Sequence, residues 1–145
     1  MSEQIYLGAD HAGFRLKQRL AAELTRLGYD PVDVGPKGLD PADDFPDYGK
    51  PVAAAVSTGK VRRAILTCGT GLGMAYVANR FPHVRAAVAW SPEIAELARK
   101  HNDANVLVLP ARFVSEEEGM TILHTWLDTP FEGGRHARRV AKIDP

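Results

Sequence analysis

Val61-Arg62-Arg63-Ala64-Ile65-Leu66-Thr67-Cys68-Gly69-Thr70-Gly71-Leu72-Gly73-Met74-Ala75-Tyr76-Val77-Ala78-Asn79-Arg80 runs from a short apolar strand, through a glycine-rich turn, into a helical stretch. The chain's only cysteine stands at the switch from strand to helix. A helix N-terminus offers unpaired backbone N–H groups and a partial positive charge, which favour thiolate over thiol and bind anions. Glycines let those N–H groups approach a ligand with no side chain in the way. A buried structural cysteine followed by a turn that needs glycine is the plainer reading of the same residues.

Outward from this segment, apolar runs and helical patterns alternate to both ends of the chain, the signature of βα units stacked around a mostly parallel sheet. Strands are predicted at Gln4 to Ala9, Pro31 to Val34, Arg63 to Thr67, Arg85 to Ala89 and Asn105 to Leu109, each short and apolar as strands covered on both faces should be. The first helix repeats Phe14, Leu16, Leu20, Ala21, Leu24 and Leu27 at three- to four-residue spacing, with Arg15, Lys17, Gln18, Arg19 and Glu23 between them and Gly28 at its end. Further helices are predicted from about Tyr48 to Thr58, Leu72 to Phe81, Pro92 to Lys100 and Ser115 to Leu127. Ser91-Pro92-Glu93 and Ser115 before three glutamates mark two of the starts. The stretch from Gly35 to Asp47, rich in Gly, Pro and Asp, is too long for a tight connection and fits the border of a site.

The 145 residues suit one domain, read as 1–145. Eighteen basic residues balance eighteen acidic ones, which argues against nucleic acid or an anionic membrane as partner and makes any anion site local. One cysteine cannot form an intrachain disulfide, and Met1-Ser2-Glu3-Gln4 is polar, so a cytoplasmic protein is expected. No apolar run approaches the ~20 residues of a membrane span.

Ligands of parallel α/β sheets bind outside the carboxyl ends of the strands. Strand one ends in Gly8-Ala9-Asp10-His11, strand three in Cys68 and the glycine turn, and strand five in Pro110-Ala111-Arg112. An acid, an imidazole, a thiol, an anion nest and a guanidinium thus converge on one edge. Taken singly, Asp10 also reads as a helix cap, His11 as a helix-start residue and Arg112 as a surface charge. His101-Asn102-Asp103-Ala104-Asn105 precedes strand five and so lies near the opposite edge. It reads as a polar turn after a helix or, if His101 is catalytic, as part of a neighbouring subunit's site. Arg135, His136, Arg138, Arg139 and Lys142 make the C-terminal stretch 131–145 locally basic, which alone reads as a solvated helix face.

The glycine turn does not fit a dinucleotide fingerprint, because the sixth position counted from Gly69 is Met74 and from Gly71 is Tyr76. No nicotinamide cofactor is expected. No histidine pair has helix-face metal spacing, and Asp10, His11 and His101 alone offer a conceivable ligand set, so no metal is expected either.

Four stretches in order resemble the ribose-5-phosphate isomerase B and galactose-6-phosphate isomerase family: Gly8-Ala9-Asp10-His11-Ala12-Gly13-Phe14, Cys68-Gly69-Thr70-Gly71-Leu72-Gly73, His101-Asn102-Asp103-Ala104-Asn105-Val106, and Phe131-Glu132-Gly133-Gly134-Arg135-His136 through Arg139-Val140. The resemblance spans almost the whole chain. It implies a three-layer α/β/α Rossmann-like sandwich with a five-stranded parallel sheet in the order 2-1-3-5-4. It further implies a homodimer or dimer of dimers, and a cofactor-free interconversion of ribose 5-phosphate and ribulose 5-phosphate through a cis-enediolate.

By the same resemblance Cys68 is the base, and Gly69, Thr70, Gly71, Leu72 and Gly73 form the oxyanion nest. His101 opens the sugar ring with Asp10 as a polar partner, while His11, Asn102, Arg112, Arg135 and Arg139 contact the substrate and its phosphate. Relatives that use a glutamate six positions after the cysteine site have their counterpart here in Met74, which cannot take a proton. Phe45 in place of tyrosine, Trp90, Pro110-Ala111 and the length of 36–43 depart from the family pattern. They leave open a six-carbon substrate such as allose 6-phosphate or galactose 6-phosphate. A non-catalytic sugar-phosphate-binding module is a further alternative, and a thiol-based redox or hydrolytic enzyme would need a second cysteine or a base beside the thiol.

Overall fold

The computed structural model describes residues 2–145. Its element order is β1 (Gln4–Ala9), α1 (Phe14–Arg26), β2 (Asp30–Gly35), α2 (Pro46–Ser57), β3 (Arg63–Cys68), α3 (Leu72–Ala78), β4 (Ala86–Val88), α4 (Pro92–Asn102), β5 (Val106–Pro110), α5 (Glu116–Asp128) and α6 (Arg135–Val140). The strands form one parallel sheet in the order β2-β1-β3-β5-β4, the arrangement expected.

Because side chains alternate along a strand, each strand feeds two separate cores. Ile65 of β3 and Leu107 and Leu109 of β5 pack with Leu16, Leu20 and Leu24 of α1 and Ile122, Leu123 and Trp126 of α5. Ala64, Leu66 and Cys68 of β3 and Val106 and Val108 of β5 face the other way, onto Val52 and Val56 of α2 and Met74 and Ala78 of α3. Cys68 therefore points to the α2 and α3 layer.

Local signals act as the sequence predicts at several ends. Ser91 caps α4 by accepting from Ile94 N at 3.3 Å, and Ser115 and Glu118 close a reciprocal capping box on α5. Pro46 opens α2 two residues before the predicted start, which suits its fixed φ. β4 is shorter than expected, and a side chain occupies its outer edge: Asn79 Nδ2 donates to Ala86 O at 3.0 Å and Asn79 Oδ1 accepts from Ala86 N at 2.8 Å. One amide thereby satisfies backbone groups that an open edge would leave for another strand.

Lys17 departs from the helical pattern that places it among polar residues. It is fully buried, donating to Asp33 Oδ1 at 2.8 Å and Pro36 O at 2.6 Å. It thus fastens α1 to the end of β2 and to the start of the long connection that follows.

The tightest joint lies between the loop after β1 and the end of β3. Thr67 Oγ1 donates to Gly13 O at 2.8 Å, Asp10 N donates to Thr67 O at 3.3 Å, and a Cβ at Gly13 would fall 2.3 Å from Thr67 Oγ1 and 2.5 Å from its carbonyl. Backbone cannot yield at that distance, so overpacking in Gly13→Ala should cost about 3 kcal/mol in urea unfolding. At Gly38 a Cβ would stand in open space and φ is not left-handed, so Gly38→Ala should leave the midpoint nearly unchanged. Equal loss in both variants would contradict the joint.

Candidate active site

Winding reverses between β1 and β3, so their carboxyl ends flank the crevice where ligands of such sheets bind. A cavity of about 330 Å³ lies there, lined by Asp10, His11 and Ala12 after β1, Cys68, Gly69, Thr70 and Gly73 after β3, Arg112 after β5, and Phe45. Larger hollows occur elsewhere, such as one of about 600 Å³ bordered by Asn79, Phe81 and Asn102, but none of them holds the thiol.

Each wall has a local cause. Asp10 Oδ1 accepts from Gly13 N at 3.0 Å, so Asp10 does cap the turn into α1, and one carboxylate oxygen is committed to that bond. Gly71 takes φ 76°, a left-handed conformation that turns the chain from β3 into α3. Thr70 Oγ1 accepts from Leu72 N at 3.2 Å, which leaves its O–H as a donor for a ligand. Arg112 N donates to Gly69 O at 3.0 Å, and the guanidinium lies over Gly69, with Nη1 3.2 Å from where a Cβ would stand. The Phe45 ring covers Gly73 more closely still, its Cε1 lying 2.6 Å from the position of a Cβ. A side chain at either glycine would displace these groups.

Cys68 is 4% exposed. Burial pushes its thiol pKa up and the Asp10 charge adds to that push, while hydrogen bonds from the backbone of Met74, Gly71 and Thr70 pull the other way; the net direction is upward. The expectation that the helix N-terminus favours thiolate thus holds for one contribution and not for the balance, because desolvation outweighs it. The resting group is a thiol held among N–H donors.

His101 is elsewhere. It lies in the last turn of α4, just before β5, and β5 pairs Val106 with Ala64 at one end and Pro110 with Cys68 at the other. Four residues of strand separate the two ends, about 13 Å at the usual rise. His101, Asn102, Arg135 and Arg139 therefore gather at the opposite edge, where α6 meets α4 and Glu132 N donates to Lys100 O at 3.1 Å. Asp10 and His11 do not come together with His101 in one chain.

At that edge the His101 ring stacks on His136 at 4.4 Å with 9° between planes, and Glu132 Oε1 lies 3.6 Å from His101 Nε2 and 3.7 Å from His136 Nε2. Stacked rings direct their nitrogen lone pairs side by side rather than toward one point, so the arrangement suits a shared carboxylate better than a common ion. Burial, with His101 and Arg135 adding to it, holds the His136 pKa below the ordinary imidazole value.

Sequence reasoning misses Glu132 and His136 as companions of His101, and Asp43, whose Oδ1 meets both His11 N at 3.1 Å and His11 Nδ1 at 2.8 Å. Glu132 precedes α6 across Gly133 and Gly134, both at positive φ, so its four-residue spacing from His136 is not the helical one and gives no signal. Nothing in the sequence singles out Asp43 from its neighbours.

A family model described as Ribose/Galactose Isomerase matches residues 5–143. Ribose-5-phosphate isomerase B of Escherichia coli K12 is 42% identical over 97% of this chain and 94% of its own. Among solved structures, ribose 5-phosphate isomerase from Thermotoga maritima superposes with TM-score 0.94 at 43% identity, covering 99% of both chains. Ribose-5-phosphate isomerase B from Mycoplasma genitalium with bound ribulose-5-phosphate superposes with TM-score 0.95 at 42% identity, covering 99% of this chain and 95% of that one.

Because Asp10 raises the Cys68 pKa, Asp10→Asn should move the pH midpoint of thiol alkylation downward while its amide oxygen still accepts from Gly13 N. An unmoved or higher midpoint, followed by iodoacetamide labelling against pH, would refute that influence.

Proposed function

The chain belongs to the ribose/galactose isomerase family, and we propose that it interconverts ribose 5-phosphate and ribulose 5-phosphate, with Cys68 as the base. The observation that carries this reading is the placement of the single thiol. It ends β3 inside a cavity whose floor is backbone N–H and whose rim carries Asp10, His11, Thr70 and Arg112.

Aldose–ketose isomerisation moves one proton between C2 and C1. Cys68, as thiolate, takes the proton from C2 of the open-chain aldose and returns it to C1, while a second proton passes from O2 to O1, so that negative charge is carried by the oxygens of a cis-enediolate in between. The Thr70 hydroxyl donates to those oxygens, together with N–H groups of the glycine turn other than that of Leu72, which is committed to Thr70 Oγ1. Met74 is fully buried in the α2 and α3 core, so it offers no second base. A raised thiol pKa suits a base that must hold its proton until it is returned, and it places the activity on the alkaline side.

His101 opens the furanose ring by proton transfer, and Asn102, Arg135 and Arg139 meet the substrate. In this reading they reach the cavity from the partner subunit of a homodimer. Support comes from the edge-to-edge separation within one chain, and from apolar side chains turned outward on the helix that follows the glycine turn: Tyr76 is 66% exposed and Leu72 48%. His11 and Arg112 supply the phosphate contacts from this chain, the guanidinium being able to donate paired hydrogen bonds. No helix among the described residues is long and apolar enough to cross a membrane. A cytoplasmic metabolic role accords with this reading.

Metal-free turnover of ribose 5-phosphate beside allose 6-phosphate and galactose 6-phosphate tests the substrate. Activity on the pentose phosphate is expected, and activity confined to a hexose phosphate would keep the chemistry and overturn the substrate. Cys68→Ala should lower kcat by about 10³-fold. For the wild type, kcat/KM should climb with pH past the range in which an ordinary thiol titrates, because the active form is the deprotonated one and its pKa is raised. Mixing Cys68→Ala with His101→Ala should restore about one quarter of wild-type activity per chain, since half the dimers are hybrid and each hybrid has one intact site. No recovery after verified exchange would exclude the shared site.

A further inference from the structure

The connection from β2 to α2 carries Asp40, Asp43 and Asp44, and only Asp43 is turned inward, with a side chain 3% exposed. A local turn presents it: Ala42 N donates to Asp40 Oδ1 at 3.0 Å and Asp43 N donates to Asp40 O at 3.1 Å. Asp43 Oδ1 accepts from His11 N at 3.1 Å and lies 2.8 Å from His11 Nδ1, while Asp43 Oδ2 is buried with no partner. An ionised carboxylate can only accept, so Nδ1 must carry the hydrogen. Rotating the ring by half a turn would put a carbon against the carboxylate and break the bond. One oxygen thus fixes both the backbone and the ring of His11, and Nε2 is the nitrogen left for the cavity, beside Asp10, Cys68 and Arg112.

We propose that Asp43 is a positioning residue for substrate binding: it holds His11 in the Nδ1–H tautomer with Nε2 addressed to an anionic ligand. The proposal rests on the sugar-phosphate reading above. A phosphate oxygen accepts from Nε2 only when that nitrogen bears hydrogen. Binding therefore draws one proton from solvent onto Nε2, and the imidazolium so formed lies between the Asp43 carboxylate and the phosphate. The opposite neutral tautomer would set the Nδ1 lone pair against the Asp43 charge.

Nitrogen-15 NMR of the His11 ring in the native protein, at about pH 8 and with inorganic phosphate as the added anion, tests this directly. The expected result is an Nδ1–H, Nε2-bare ring that gains a proton at Nε2 as phosphate is added. An Nε2–H tautomer in the free protein, or no response at Nε2, overturns the proposal without any variant having to fold. In kinetics on ribose 5-phosphate, Asp43→Ala should raise KM about tenfold with kcat little changed, while Asp43→Asn, which keeps an acceptor oxygen, should restore most of the loss. Asp43→Ala should add nothing in a His11→Asn background; full additivity would assign Asp43 to the loop alone. Absence of turnover with the NMR pattern intact would reject the isomerase reading and leave the Asp43 assignment standing.

Discussion

Gly13 and Thr67 set the geometry on which the cleft depends. The hydroxyl of Thr67 donates to the Gly13 carbonyl, and the missing Cβ lets two backbones meet where any side chain would collide. This joint brings the turn after β1 against the end of β3, so Asp10 and His11 stand beside Cys68, with Asp43 holding the His11 ring from the other side. The alternation of side chains along β3 then decides that Thr67 is spent on the joint and Cys68, the next residue, faces the other layer.

Around that joint, electrostatics are graded rather than uniformly favourable to a charged thiol. Backbone N–H groups invite the thiolate, and burial and the Asp10 charge resist it. On the proposed reaction, the cavity is therefore better suited to an oxyanion whose charge appears only in passing than to a permanently ionised cysteine. The long connection before α2 serves the same cavity from outside: Lys17 pins its beginning through Pro36, Asp43 grips His11, and the Phe45 ring closes over Gly73.

How much is legible in the sequence follows from how local each cause is. The strand, turn and helix around Cys68, the capping at Ser91 and Ser115, and the convergence of Asp10, Cys68 and Arg112 on one edge all come from residues close in sequence or from the rule that governs parallel sheets. Helical periodicity misplaces Lys17 because it reports the face of a residue and cannot foresee a carbonyl and a carboxylate arriving to satisfy a buried amine. Asp43 is invisible because the three aspartates of one loop look alike until tertiary packing turns one inward. The separation of His101 from the thiol is readable from its place before β5. Its stacking on His136 is not, since α6 returns to α4 only after the whole of α5 has intervened.

The desolvation that raises the Cys68 pKa also governs how the protein ages. Oxidation by peroxide proceeds through the thiolate, so a buried thiol with a raised pKa reacts slowly. Once a sulfenic acid does form, the chain has no second cysteine to capture it as a disulfide, and rescue depends on thiols from outside. Durability here lies in the concealment of the sulfur rather than in any means of repairing it.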